Sequence, residues 1–333
     1  MVDLVEARRN LILVIITFSA FFTAITVLGA SAGIGLTRLY STILHVYTDP
    51  GSLYSALLYS GPIIASAVGL SLAYRAFFIT IGSEGQILVS GILVLWLLAY
   101  KLSGGGPSSL VIALSASILA GSLWGLVPGL LKAYLRVNEV LVSLMLNYIA
   151  LSLVNLLVSG PLRWGAFTIT KSIPEHYVLH PIAVISSITL LSALYSILLW
   201  RTRMGVAVEA LGLAPKAAAT YGYNNRRTII GVSLLSGASS GVGGFLMVTG
   251  FQWSFRALSE PLGYGYMGVL VAWMSANNPL IAPLPGFVFA TILVAAKRLQ
   301  SVGLPLSSVL ALEAVVAVIV SMAVYRWRST QRG

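Results

Sequence analysis

Apolar runs of about twenty residues recur along almost the whole chain, each closed by basic residues or by a Gly/Pro turn. About twenty apolar residues in a helix are what it takes to cross the hydrocarbon core of a bilayer. A chain built of such runs is therefore expected to fold as an all-α polytopic membrane protein. The runs fall at about residues 11–30, 53–73, 77–100, 108–131, 139–159, 182–200, 228–250, 279–296 and 304–325. A shorter, broken segment lies at 263–277. This predicts a bundle of about ten transmembrane helices in one integral membrane domain, residues 1–333, with a polar stretch at 37–52 between the first two spans.

Charge places these spans. Charged residues are 9% of the chain, against 58% hydrophobic, too few to coat a soluble protein of this length. The net charge of +11 reads as basic loops on one side of a membrane, not as a nucleic-acid surface. With the N-terminus inside, Arg8, Arg9, Arg75, Lys132, Arg136, Arg201, Arg203, Lys216, Arg226, Arg227, Arg326, Arg328 and Arg332 are cytoplasmic. The other seven of the 20 basic residues are outside, so the positive-inside rule favours a plasma-membrane protein with both termini cytoplasmic. If 263–277 is re-entrant, Lys297 and Arg298 move inside and the C-terminus moves out. Arg8 and Arg9, the run Leu11–Leu28 and Ala30-Ser31-Ala32 mimic a signal peptide. The run is long enough to span, and retention as the first helix is expected. There is no cysteine, which excludes disulfides, thiolate nucleophiles and sulfur-ligated metals.

Stripes of small residues at four-residue spacing mark close helix contacts: Gly61, Ala65, Gly69 and Ala73; Gly121, Gly125 and Gly129; Ser233, Gly237 and Gly241. Two segments, Ile79–Gly91 and Gly263–Pro279, are interrupted by glycine in similar fashion, one in each half. Such pairing points to an internal repeat with broken or re-entrant segments around a central transport site.

Polar side chains within the spans are the candidate functional groups. Asn138–Ala150 carries Asn138, Glu139 and Asn147 in an otherwise apolar run. Gly82 and Gly85 allow a helix break that would turn Glu84 and Gln86 toward a cavity, or bury them as a hydrogen-bonded cluster between helices. Glu313, in the last span, is a proton site or an interhelix hydrogen-bonding group. His176 and His180 are four apart beside Glu175, but the segment is bracketed by Pro174 and Pro181, and no metal is expected there. No GxxxxGK[ST] loop occurs, so ATP hydrolysis is not expected of this chain. The polar stretch 201–227 divides into two short helices near Gly212–Pro215, a docking surface or an ordinary amphipathic connector.

Four phrases together resemble the permease subunits of ABC importers, in the group that contains ribose, branched-chain amino acid and nucleoside permeases, and within it the nucleoside and simple-sugar branch. They are Ile79–Gln86, Asn138–Ala150, Glu209–Tyr223 and Gly263–Ser275, in the family's order over roughly residues 50–300. Thr80, Ala214 and Met267 depart from the family's usual Asn, Asn and Asp. The resemblance implies a permease for a small polar solute, most simply nucleosides or simple sugars. Branched-chain amino acids, or an ion-coupled transporter using Glu84 and Glu313, are the alternatives. It implies as partners an ABC ATPase subunit that carries the ATP, a second permease (the same or homologous), an extracytoplasmic solute-binding lipoprotein and membrane lipid. No cofactor or metal is implied in this chain. Glu84, Gln86 and Asn147 would line the translocation path, with the helix break at Gly82 and Gly85. Glu209, Gly212, Pro215, Ala217, Ala218 and Gly222 would couple to the ATPase from the cytoplasmic loop 201–227.

Overall fold

The computed structural model of the chain describes residues 36–300, with Thr23 and Thr26 before them. Apart from those two threonines, the expected first span lies outside the described residues, as do the expected last span, Glu313 and both termini. Eleven α-helices are described: α1 Leu36–Thr48, α2 Pro50–Arg75, α3 Ser83–Trp96, α4 Pro107–Leu130, α5 Glu139–Ser159, α6 Pro181–Arg201, α7 Arg203–Leu213, α8 Pro215–Thr220, α9 Asn225–Gly250, α10 Tyr264–Met274 and α11 Pro283–Gln300. One π turn prolongs α3 to Lys101 and another prolongs α4 to Leu135. Among the described residues β-pairing is confined to isolated bridges. Among the described residues six helices are long and apolar enough to cross a membrane: Pro50–Arg75, Ser83–Lys101, Pro107–Leu135, Glu139–Ser159, Glu175–Arg201 and Asn225–Gly250. The protein is a multi-pass, all-helical membrane protein.

Two boundaries differ most from the sequence reading. The stretch taken as polar, 37–52, contains α1. Leu36, Leu39, Ile43 and Val46 recur there at helical spacing, and Val46 packs with Ala56, Val294 and Ala295. The third span opens at Ser83 instead of 77, because residues 76–82 form a non-helical connection.

Contacts at the ends of the helices sort them into two layers. Asp49 caps α2 and pairs with Arg298 of α11; Tyr54 meets His180 edge-on; and the Leu179 N–H donates to Thr249 O (2.8 Å). At the opposite end Arg75 bonds both Glu209 and the Asn277 carbonyl. Consecutive long helices alternate between these two ends. The segment after α9 follows suit: it leaves the Thr249 end in irregular backbone, then α10 completes the passage to the Arg75 end. Alone, the 11 residues of α10 rise about 16 Å, half the bilayer core.

α2 is the central helix, with 89% of its apolar window buried, against 22% for α4, 28% for α5 and 33% for the window leading through α6. The latter three form the outer face. Two of the expected small-residue stripes pack on each other. A Cβ on Gly121 would lie 2.3 Å from Gly237 O, and one on Gly237 would lie 2.2 Å from Gly121 O, so α4 and α9 touch backbone to backbone.

Candidate functional site

The chain between α2 and α3 exposes peptide groups inside the bundle, where an unpaired one is costly. One face of α5 supplies the partners, at four-residue spacing. The Ile79 N–H donates to Glu139 Oε1 (3.1 Å), the Ile81 N–H to Ser143 Oγ (3.1 Å) and the Gly85 N–H to Asn147 Oδ1 (2.9 Å). Asn147 Nδ2 donates in turn to Ile81 O (2.9 Å) and to the Tyr266 hydroxyl (3.2 Å). The Tyr74 hydroxyl donates to Thr80 O (2.7 Å), and the Gly82 N–H to Thr80 Oγ1 (3.1 Å). Lys132 ion-pairs with Glu139 and donates to Phe77 O (3.3 Å).

Glu84 is wholly buried and has both oxygens engaged. Oε1 accepts the Gly263 N–H and Oε2 the Gly265 N–H, each at 2.8 Å. Glu84 sits in the first turn of α3 while capping α10, so one carboxylate faces the positive ends of two helices. Gly263 enters α10 with φ +89°, a conformation open chiefly to glycine. Gly265 has no room for a side chain, since a Cβ would lie 2.2 Å from Glu84 N. The two glycine-broken segments singled out in the sequence thus meet at this carboxylate.

Gln86 differs from Glu84 and Asn147. It is 2% exposed, yet its Oε1 has no hydrogen-bond partner among the described residues, and neither do Ser83 Oγ and Trp124 Nε1. All three side chains lie at the first turn of α3: Ser83 and Gln86 belong to it, and Trp124 Nε1 lies 3.1 Å from where a Cβ on Gly85 would sit. Donors and acceptors without partners in an apolar setting are groups through which a polar solute can be held. Ser83, Ser143 and Trp124 were not singled out by sequence. Ser143 was legible there, because it lies midway between Glu139 and Asn147 on one helical face.

The second group of expected site residues lies at the Arg75 end. α7 and α8 are separated by Ala214 (φ −154°, ψ 86°), with Pro215 opening α8. Glu209 reaches the end of α2 from an exposed position: its Oε1 lies 2.8 Å from Arg75 Nη1. Gly212 lets α7 approach the end of α2, since a Cβ would lie 1.9 Å from Arg75 O. Arg75 Nε also donates to Asn277 O (2.8 Å), which ties α7 to the end of α10. Ala218 is buried while Ala217 is exposed. Gly222, with φ +86°, ends α8 as the Tyr223 N–H donates back to Ala218 O. Leu213 and Tyr221 stand 79% and 83% exposed beside this break, apolar surface of the kind a partner covers. Sequence gave no signal for Arg75, whose role depends on two elements distant along the chain.

The histidines are engaged locally. His180 Nδ1 accepts the Ile182 N–H at the start of α6, and the His176 ring lies tilted against Tyr177. Among the described residues no group of His, Asp and Glu gathers as metal ligands do.

Residues 52–325 match the model of the family described as branched-chain amino acid transport system / permease component. The chain is similar to the glucose ABC transporter permease protein TsgB13 of Haloferax volcanii, 27% identical over 322 residues, covering 88% of this chain and 84% of the relative. It is 28% identical over 311 residues to the guanosine ABC transporter permease protein NupP of Bacillus subtilis, covering 90% and 86%. With the nucleoside ABC transporter permease protein NupB of Lactococcus lactis it shares 26% identity over 276 residues, covering 76% and 74%. No solved structure matches the chain.

Proposed function

The chain belongs to the branched-chain amino acid transport system / permease component family, a permease subunit of an ATP-driven importer, and on that premise we propose that its solute is a nucleoside or a simple sugar. The observation that carries this reading is the near full-length similarity to permeases named for guanosine, nucleosides and glucose. These names favour ring-shaped hydroxylated solutes over branched-chain amino acids. The path runs beside Glu84, Gln86 and Asn147. Glu84 and Asn147 hold its walls, and Gln86, with Ser83 and Trp124, presents polar atoms to the passing solute. Partial coordination suits a permease, since tight binding midway slows release. A proton relay through Glu84 is disfavoured by the two amide hydrogen bonds it accepts.

ATP is bound by a separate ABC ATPase, which docks on α7 and α8, with Leu213, Ala217 and Tyr221 against it and Glu209, Gly212 and Arg75 holding the platform to the bundle. Two permeases, the same or homologous, form the pore, and a solute-binding lipoprotein delivers to the opposite face. The chain is one domain of ten crossings with both termini cytoplasmic. The inverted directions of α3 and α10, whose first turns meet at Glu84, support an internal repeat. The test is uptake of labelled guanosine, glucose and leucine into proteoliposomes holding this chain with its ATPase and partner permease. ATP-dependent uptake of guanosine or glucose is expected. Gradient-driven uptake by this chain alone, or uptake of leucine alone, overturns the reading.

A further inference from the structure

A groove on the outer face, between α3 and α5, has no part in the path described above. Its volume is about 320 Å³, and it is lined by Val89, Ile92, Leu93 and Trp96 of α3, Leu153 and Leu157 of α5, and Pro161 and Leu162 beyond it. The lining carries no charged side chain. The spacing on α3 keeps these residues on one stripe, so the groove runs along the helix for about 10 Å, parallel to an acyl chain in a bilayer.

Basic residues flank one end of the groove in the chain. Lys101 Nζ stacks over the ring of groove-lining Trp96, 5.5 Å from its centroid. The Tyr100 hydroxyl donates to the carbonyl of groove-lining Leu162 (2.6 Å) and accepts the Lys171 N–H (2.9 Å). Arg163 follows Leu162 directly in the chain, and its guanidinium donates to the nearby Ala166 carbonyl (2.8 Å). One tyrosine hydroxyl therefore ties the Lys171 backbone and Leu162, which Arg163 follows, to the chain beside Lys101, and Lys171 Nζ lies over the ring of neighbouring Trp164 (5.6 Å to its centroid). The ion pairs among the described residues, Arg75–Glu209, Lys132–Glu139 and Arg298–Asp49, include none of these three. Glu175, four residues beyond Lys171, leaves the cluster net positive.

We propose that this groove is a binding site for an anionic phospholipid, with an acyl chain lying between α3 and α5 and the headgroup phosphate among Lys101, Arg163 and Lys171. An apolar slot alone accepts any lipid tail. What selects the anionic class is the cationic mouth joined to it through Trp96, Tyr100 and Leu162. An acidic protein segment would satisfy the cations but not the slot, and an uncharged lipid would satisfy the slot but not the cations. Under the orientation proposed above, the site lies in the extracytoplasmic leaflet, where the positive-inside rule makes basic residues scarce.

The test uses the full-length chain in nanodiscs of phosphatidylcholine, titrated with phosphatidylglycerol brominated on its acyl chains or, in parallel, with equally brominated phosphatidylcholine. The signal of Trp96 is the difference between the unmodified protein and Trp96→Phe. Brominated phosphatidylglycerol is expected to quench that signal at lower mole fraction than brominated phosphatidylcholine. In Lys101→Gln and Lys171→Gln the half-quenching mole fraction should rise about fivefold per cation removed, with the elution profile of each variant unchanged. If a variant fails to fold, the comparison of the two lipids on the unmodified protein still decides. Equal quenching by both lipids reduces the groove to ordinary boundary lipid and overturns the proposal. Absence of Trp96 quenching by either means that protein covers the slot, and overturns it as well.

Discussion

Glu84, Gln86 and Asn147 are three polar residues of similar size in similar surroundings, yet only their partners tell them apart. Asn147 accepts from Gly85 and donates to Ile81, so Asn147→Leu orphans an amide and a carbonyl inside the bundle. A loss of about 2 kcal/mol is expected, read as a fall in the melting temperature of the detergent-solubilised protein. Gln86→Leu removes no hydrogen bond to the carboxamide oxygen, so its melting temperature should hold while uptake per folded complex falls. The reverse pattern, lower melting with unchanged uptake, would show Gln86 to be structural. Asp49 supplies a pH test outside the spans. The Ser52 hydroxyl, then the Gly51 amide and Arg298, hold its carboxyl below the usual range against the opposing effect of desolvation. A depressed folded value means that its stabilising contribution is present at neutral pH and above its unfolded value, and is lost as pH falls through the folded value. Asp49→Asn should therefore flatten the acid limb of the melting profile; an unchanged limb removes Asp49 from that account.

At the level of elements, helices are placed by how closely their backbones approach and by what ties their ends. α4 and α9 meet at Gly121 and Gly237, where neither has room for a methyl group. Gly237→Val should force the pair apart and destabilise by roughly 1–3 kcal/mol. Gly104→Ala is the control, because nothing lies within 4 Å of its Cβ position. α10 is tied at both ends, by Glu84 at its start and by Arg75 through Asn277 just past its last turn. Because Arg75 also holds α7 through Glu209, one side chain links the proposed ATPase platform to the helix beside the proposed path. Arg75→Met should leave ATPase binding intact, measured by co-purification, while reducing ATP-driven uptake per complex. Uptake at the unmodified level would show that this link carries no coupling.

For the whole molecule, the two layers of end contacts make a labelling prediction. The loop holding Ser172 lies at the Thr249 end, and α8 lies at the Arg75 end. With no native cysteine to confuse the result, Ser172→Cys should react with an impermeant maleimide on intact cells. Thr220→Cys should react only after the membrane is opened. Labelling of both from outside would reject the proposed orientation. The same arrangement explains why α2, not the most hydrophobic of the long helices, is the most buried. In lipid, apolarity does not drive a helix inward; small residues that allow close packing do.

The apolar runs alone determined that this chain is a membrane helix bundle and where most of its helices lie, because the bilayer fixes both the length and the polarity of a span. Spacing alone also exposed the small-residue stripes and the glycine-broken segments, since helical periodicity is a local property. α1 was missed because its polar residues masked a helical apolar repeat. The start of α3 was misplaced because residues 77–82 are apolar enough to read as helix, while their peptide groups are satisfied by α5. Which polar groups are occupied was not legible at all. Glu84 is filled by amides some 180 positions away in the chain, Asn147 by the α3 connection and Tyr266, and Gln86 Oε1 by no described residue. Hydrogen bonds between distant segments exist only once the helices are packed. The tertiary structure therefore separated partnered from unpartnered polar groups among residues that look alike in sequence.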